Sequence, residues 1–151
     1  MDRKRLGEML LEAGIINERQ LDQALKVQSE TREKLGQILI RLGYITANTL
    51  LEFLSRQHGT QGIDPFKEVV DDEAVNSISE ACARKYRAVP IRFKTEGRTK
   101  KLVVAMADPS NLEAIDVIRF MSDCTVEPVF VMEEQINWFI NYCYNKQLRF
   151  D

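Results

Sequence analysis

The sequence predicts an α+β fold: an N-terminal helical subdomain of two repeated helical hairpins, then a small α/β subdomain with a three-stranded sheet. Three observations predict it. A 24-residue pattern occurs twice, 29 residues apart, from Arg5 to Gln28 and from Lys34 to Gln57. Eight of its positions are identical: Leu6/Leu35, Gly7/Gly36, Leu10/Leu39, Gly14/Gly43, Ile16/Ile45, Leu21/Leu50, Leu25/Leu54 and Gln28/Gln57. Tandem copies of this kind mark one supersecondary unit each. Beyond the repeat, helical and strand-like segments alternate, with turn residues between them. The expected division is 1–62 for the helical-repeat subdomain and 63–151 for the α/β subdomain.

In copy one, Leu6, Met9, Leu10 and Ala13 follow the i, i+3, i+4, i+7 spacing of one helical face. Gly14 then stands where a helix end wants a residue of positive φ. Asn17 is a good N-cap, and Gln20 three residues later completes a capping-box pattern. The second helix carries Leu21, Ala24, Leu25 and Gln28 on one face. Copy two repeats the sequence of events with Leu35, Ile38, Leu39 and Leu42, then Gly43, then Thr46 as cap, then Leu50, Phe53, Leu54 and Gln57. Ser29–Glu33 is the spacer.

The second part opens with a connector near residues 63–72 that contains Pro65. Helical spacing returns with Val75, Ile78 and Ala81. Arg87–Lys94 and Lys101–Ala107 read as strands around a Glu96-Gly97-Arg98 tip. Asp108 followed by Pro109 reads as a helix start, cap and then N1 proline, with Leu112, Ile115, Ile118 and Arg119 behind it. Thr125–Met132 reads as a third strand. Glu133–Tyr144 reads as a closing helix packed through Trp138, Phe139 and Tyr142.

Composition narrows the function. A net charge of −2 argues against a general nucleic-acid binder. No apolar run approaches the roughly 18–20 residues of a membrane span, so no direct membrane insertion is expected. The charged N-terminus lacks the apolar stretch of a secretion signal. Cys82, Cys124 and Cys143 are odd in number and without a C-x-x-C pair, which suits reduced thiols in the cytoplasm. No G-x-x-x-x-G-K-[ST] loop, metal-ligand cluster or paired nucleophile and base is visible, so no enzyme and no cofactor or metal is expected. His58, the single histidine, receives no catalytic role. Arg92, Lys94, Arg98, Lys100 and Lys101 make a basic hairpin, read as a solvated edge or a docking site for an acidic partner.

Four features of the repeat go beyond a hydrophobic core. Gly7 and Gly36 sit in the first turn of a helix, where glycine costs roughly 0.5–1 kcal/mol against alanine. Either a ligand approaches the backbone there or two helices pack tightly. The same openings present free backbone N–H groups that favour an anion. Gln28 and Gln57 extend the apolar faces with amides, as boundary residues or as hydrogen-bonding groups for a ligand. Arg5 and Lys34 place one cation per copy. Together these suit a ligand that is two-fold, anionic and partly flat.

The pattern R-L-G-x-x-L-x-x-x-G…L-x-x-x-L-x-x-Q, twice with a five-residue spacer, resembles the MshEN-type domain of type II secretion and type IV pilus ATPases. The resemblance extends through Gly59, the Tyr86…Val89-Pro90-Ile91 segment and the Ala105-Met106-Ala107-Asp108-Pro109 turn. It implies cyclic di-GMP as ligand, whose two guanines and two phosphates match a duplicated half-site. It further implies apolar surfaces under the bases from Leu6, Leu10, Leu21 and Leu25 with Leu35, Leu39, Leu50 and Leu54. Gly7 and Gly36 would admit the ligand to the backbone, and Arg5 would offer a planar fork to a guanine edge. Gln28 and Gln57 would bond polar edges, and Arg3 would add a cation or stack over a base. Asp108, besides capping a helix, would accept from guanine N–H groups. Lys34 departs from the arginine of the first copy, and Gln61 stands where the family often has proline. The function so implied is a regulatory sensor whose partner is a motor ATPase domain or an assembly-platform protein, with catalysis outside this chain. The alternative is a nucleotide-independent scaffold docking onto a membrane-anchored assembly partner. A helix-turn-helix DNA binder is disfavoured by the negative charge and the periodic leucines.

Overall fold

A computed structural model describes residues 5–145, an α+β fold of helices and one three-stranded mixed sheet. The chain divides into two compact units after Gly59. In the first, α1 (Leu6–Glu12) and α2 (Glu18–Thr31) form one hairpin; α3 (Leu35–Arg41) and α4 (Ala47–His58) form the other. Both hairpins turn identically. Gly14 and Gly43 take φ of 73° and 79°, a region that side chains resist. Ile15 N then donates to Leu10 O at 3.0 Å, and Tyr44 N to Leu39 O at 2.9 Å, closing each first helix with a Schellman turn. At the next helix start, Asn17 Oδ1 accepts from Gln20 N and Gln20 Oε1 from Asn17 N, both at 2.9 Å. In copy two, Thr46 Oγ1 accepts from Thr49 N at 3.1 Å.

The hairpins exchange partners. Helix α1 packs against α4 and α3 packs against α2, the pairing that a two-fold relation between copies produces. Leu10, Ile16, Ala24, Ile38, Leu39, Ile45, Leu50 and Phe53 are the buried core of this unit. Gly7 and Gly36 are what let the helices come together. A Cβ on Gly36 would stand 2.5 Å from Leu50 Cδ1, and one on Gly7 would stand 2.8 Å from Leu21 Cδ1. Each glycine therefore vacates the space a leucine of its own hairpin fills.

The second unit is a sheet covered on both faces. Strands β1 (Ala88–Glu96) and β2 (Thr99–Met106) are antiparallel, and β2 pairs parallel with β3 (Thr125–Phe130). The parallel pair is joined by α7 (Leu112–Ser122), as a parallel crossover requires. One face, with Val89, Ile91, Val103, Ala105 and Val129, packs against Ile136, Phe139 and Ile140 of α8 (Glu133–Tyr144). The other face, with Leu102, Val104 and Met106, meets Cys82 and Ala83 of α6 (Glu80–Tyr86) and Ala114 and Ile118 of α7. Pro90 brings no N–H, and the register of β1 shifts between Pro90 and Arg92. Ile91 O turns outward there and accepts from Asp71 N at 2.8 Å.

Several local expectations change. Residues 60–62, grouped with the repeat by sequence, fall in the second unit, and Gly62 bridges β3: Ile63 N donates to Phe130 O and Phe130 N to Gln61 O. Val75, Ile78 and Ala81 do not share one helix. The chain breaks into α5 (Asp72–Val75) and α6 because Ser79 Oγ caps Cys82 N at 3.1 Å, which starts a new helix and leaves Ala81 exposed. Asp108 is not the cap of α7. Its Oδ1 accepts from Ser110 N and Ser110 Oγ at 3.1 and 2.6 Å, and Asn111 Oδ1 caps Ala114 N instead. The helix thus starts three residues late, and Leu112 is 72% exposed. Arg87 ends α6 at φ 51° rather than beginning a strand. Helix α8 has the expected bounds, with Phe139 buried and Trp138 at the surface.

Gly36→Ala adds about 1–3 kcal/mol of overpacking against the fully buried Leu50, exceeding the roughly 1 kcal/mol that alanine gains in a helix. Thermal unfolding should drop by a few degrees, whereas Gly7→Ala should be near neutral because half-buried Leu21 can turn aside. Equal melting temperatures for the two variants would contradict the account. Burial pushes the Cys143 thiol from its ordinary 9.0 up to about 12. The unfolded chain ionises it first, so its contribution is complete below about pH 9 and is lost as pH rises toward the folded value. Urea midpoints measured from about pH 8 to about pH 11 should decline, with a shallower slope in Cys143→Ala.

Candidate functional site

The repeat places a cation at the start of a helix in each copy. Arg5 is the N-cap of α1 and Lys34 the N-cap of α3, with φ, ψ of −70°, 147° and −68°, 138°. Their carbonyls accept the first helical bonds, from Met9 N at 3.1 Å and Ile38 N at 3.2 Å. Neither side chain caps its helix, both residues are exposed, and the two cations start from equivalent backbone positions. Helices α1 and α3 have only seven residues each, so attraction for an anion falls mainly to these side chains.

The eight repeat leucines divide. Leu10, Leu39 and Leu50 are buried at 0–1% exposure and serve as core, so they lie beneath any ligand surface rather than on it. Leu6, Leu21, Leu35 and Leu54 are half-buried, and Leu25 is 43% exposed. In α2 only Ala24 is fully buried, so Leu21, Leu25 and Val27 leave part of their apolar surface open. Gly7 and Gly36 are themselves buried, and tight packing is the reading their geometry favours.

Gln28 and Gln57 are half-buried. Gln28 Nε2 donates to Glu33 O at 3.1 Å, so its amide nitrogen holds the spacer. Arg3 lies outside the described residues. Asp108 belongs to the second unit, is exposed, and shares Oδ1 with Ser110. Beside it is a cleft of about 230 Å³ that also receives Lys85, Arg87 and Glu133. Arg87 Nη1 pairs with Glu133 Oε1 at 2.9 Å, so two cations and two carboxylates leave this cleft without a charge preference.

Two polar links in the repeat have no counterpart in the sequence pattern. Tyr44 Oη donates to Gln23 Oε1, tying the turn of copy two to α2. Arg41 Nη1 reaches both carboxylate oxygens of Glu33, at 2.9 and 2.7 Å. Neither pair falls at a helical i, i+3 or i, i+4 spacing, so no sequence signal points to them.

Comparisons with known proteins agree on the family. The chain matches the MshEN domain over residues 51–150. It is 31% identical over 140 residues to the type IV pilus assembly ATPase PilB of Myxococcus xanthus, covering 93% of this chain and 24% of that protein. The chain thus spans about a quarter of the length of this curated relative. Of solved structures, MshE with cdg (cyclic di-GMP) aligns at a TM-score of 0.69 and 38% identity, covering 94% of this chain and all of that one. The N-terminal domain of XpsE aligns at a TM-score of 0.54 and 21% identity over 96% of this chain and all of that one, a likeness of fold. Among the described residues no helix is long and apolar enough to cross a membrane. With a family match to residues 51–150, well over half of its length, the chain belongs to the MshEN domain family.

Proposed function

We propose that this chain is the cyclic di-GMP-sensing regulatory module of a type IV pilus assembly or type II secretion ATPase, acting in the cytoplasm. The observation that carries the reading is the twofold presentation of one set of groups: a cation at a helix start, half-buried leucines beside it, and a glutamine closing the motif. The 38% identity to MshE, solved with this ligand, supports it. Catalysis falls to a motor ATPase domain outside these residues, which with an assembly-platform protein is the partner that would read occupancy.

Each group has a role that its chemistry suits. Arg5 offers paired N–H donors to the O6/N7 edge of one guanine. Lys34, a point charge without that fork, serves a phosphate better than a base. Leu6, Leu21, Leu25, Leu35 and Leu54 give the bases and riboses apolar surface, with Leu10, Leu39 and Leu50 supporting them from the core. Gly7 and Gly36 keep the helix pairs close. Gln28 retains its Oε1 for a ligand donor while Nε2 holds the spacer, and Gln57 is its counterpart. Arg3 would add a further cation, and Asp108 would accept from guanine N–H groups.

A second reading, the docking scaffold, is favoured by one observation. Phe66 and Val69 are 62% and 87% exposed, and Phe66 lies 4.4 Å from the ring of Trp138, which is itself 40% exposed. Exposed aromatic clusters of this kind often mark protein contacts.

Calorimetric titration with cyclic di-GMP separates the two. The wild type should bind, and Arg5→Ala should weaken binding about five-fold or more, since a bidentate arginine–guanine pair is worth about 1–3 kcal/mol. Its melting temperature should not move, because Arg5 is exposed. Lys34→Arg should tighten binding. Flat heats with a folded wild type, joined to capture of a cytoplasmic assembly-protein fragment, would replace the sensor with the scaffold.

A further inference from the structure

The spacer between the two copies is held through one residue. Gln28, near the end of α2, donates from Nε2 to the Glu33 carbonyl at 3.1 Å. Arg41, the last residue of α3, donates from Nη1 to both Glu33 carboxylate oxygens, at 2.9 and 2.7 Å. Glu33 is therefore gripped by copy one through its backbone and by copy two through its side chain. The chain around it is also fixed: Arg32 sits at φ 60° with its N–H on Gln28 O at 2.7 Å, and Glu33 N donates to Thr31 Oγ1 at 3.3 Å. The next residue is Lys34, the cation of the second half-site.

Duplication does not explain this arrangement. Counting 29 residues back from Arg41 gives Glu12, of opposite charge; counting 29 forward from Glu33 gives Gly62, without a side chain. The pair occurs only at the junction.

We infer that Glu33 and Arg41 are positioning residues that set the separation of the two half-sites, so that a two-fold guanine dinucleotide finds them already spaced. The inference rests on the cyclic di-GMP reading above. A ligand held at two points gains from the second contact only when the spacing of the sites matches its own, and preset spacing removes an ordering cost from binding. Neither residue touches the ligand in this account. Their side chains are 39% and 54% exposed, so the pair is screened and its effect is modest, about two- to five-fold.

The test is a double-mutant cycle: wild type, Glu33→Gln, Arg41→Gln and the double variant, each titrated with cyclic di-GMP and each melted. Each single variant should bind about two- to five-fold more weakly. The double should lose no more than the weaker single, because both remove one link. Arg41→Lys should recover most of the loss. Backbone amide exchange of residues 29–34, measured without ligand, should quicken in both single variants while amides inside α1 and α4 stay unchanged. Wild-type binding with unaffected single variants, or losses that multiply in the double, would overturn the positioning role alone. A folded wild type that fails to bind would overturn the functional reading and this role with it.

Discussion

The missing side chains at positions 7 and 36 set how closely the helices of the first unit can approach. Leu21 and Leu50 lie where a Cβ at these glycines would be, at 2.8 and 2.5 Å. Each first helix can therefore rest against the second helix of its own copy and still pair with the second helix of the other. Three of the repeat leucines become core, and the remaining five are left partly open in both copies. The same allowance is made in both copies, yet Leu50 is core while its equivalent Leu21 stays half-buried.

The second unit solves a different problem, covering both faces of a small mixed sheet. Its parallel pair β2–β3 needs a crossover, and α7 supplies it while sealing one face with Ala114 and Ile118. Helix α8 seals the other face. Tyr144, at the end of α8, donates from its part-buried hydroxyl to Val75 O at 3.0 Å, joining that helix to α5. The same burial holds its phenol pKa well above the ordinary tyrosine range.

Symmetry in the repeat is that of the backbone, not of the chemistry laid on it. The two cations occupy matching caps, yet one is a planar fork and the other a point charge. Ile15 is 42% exposed where its equivalent, Tyr44, is engaged with Gln23. Asn17 makes a reciprocal capping box while Thr46 caps in one direction only.

By itself the sequence determined what depends on neighbours along the chain. Helix period, the glycine turns at 14 and 43, the capping box at Asn17 and the bounds of α8 are local, and local spacing carries them. Competition between near neighbours was harder: Asp108 and Asn111 are both good caps three residues apart, and only the turn with Ser110 decides between them. Which leucines face inward, whether Gly7 and Gly36 admit a ligand or a side chain, and where Glu33 meets Arg41 were left to the tertiary structure. These are contacts between segments that the repeat pattern treats as equivalent, and only packing in three dimensions makes them different.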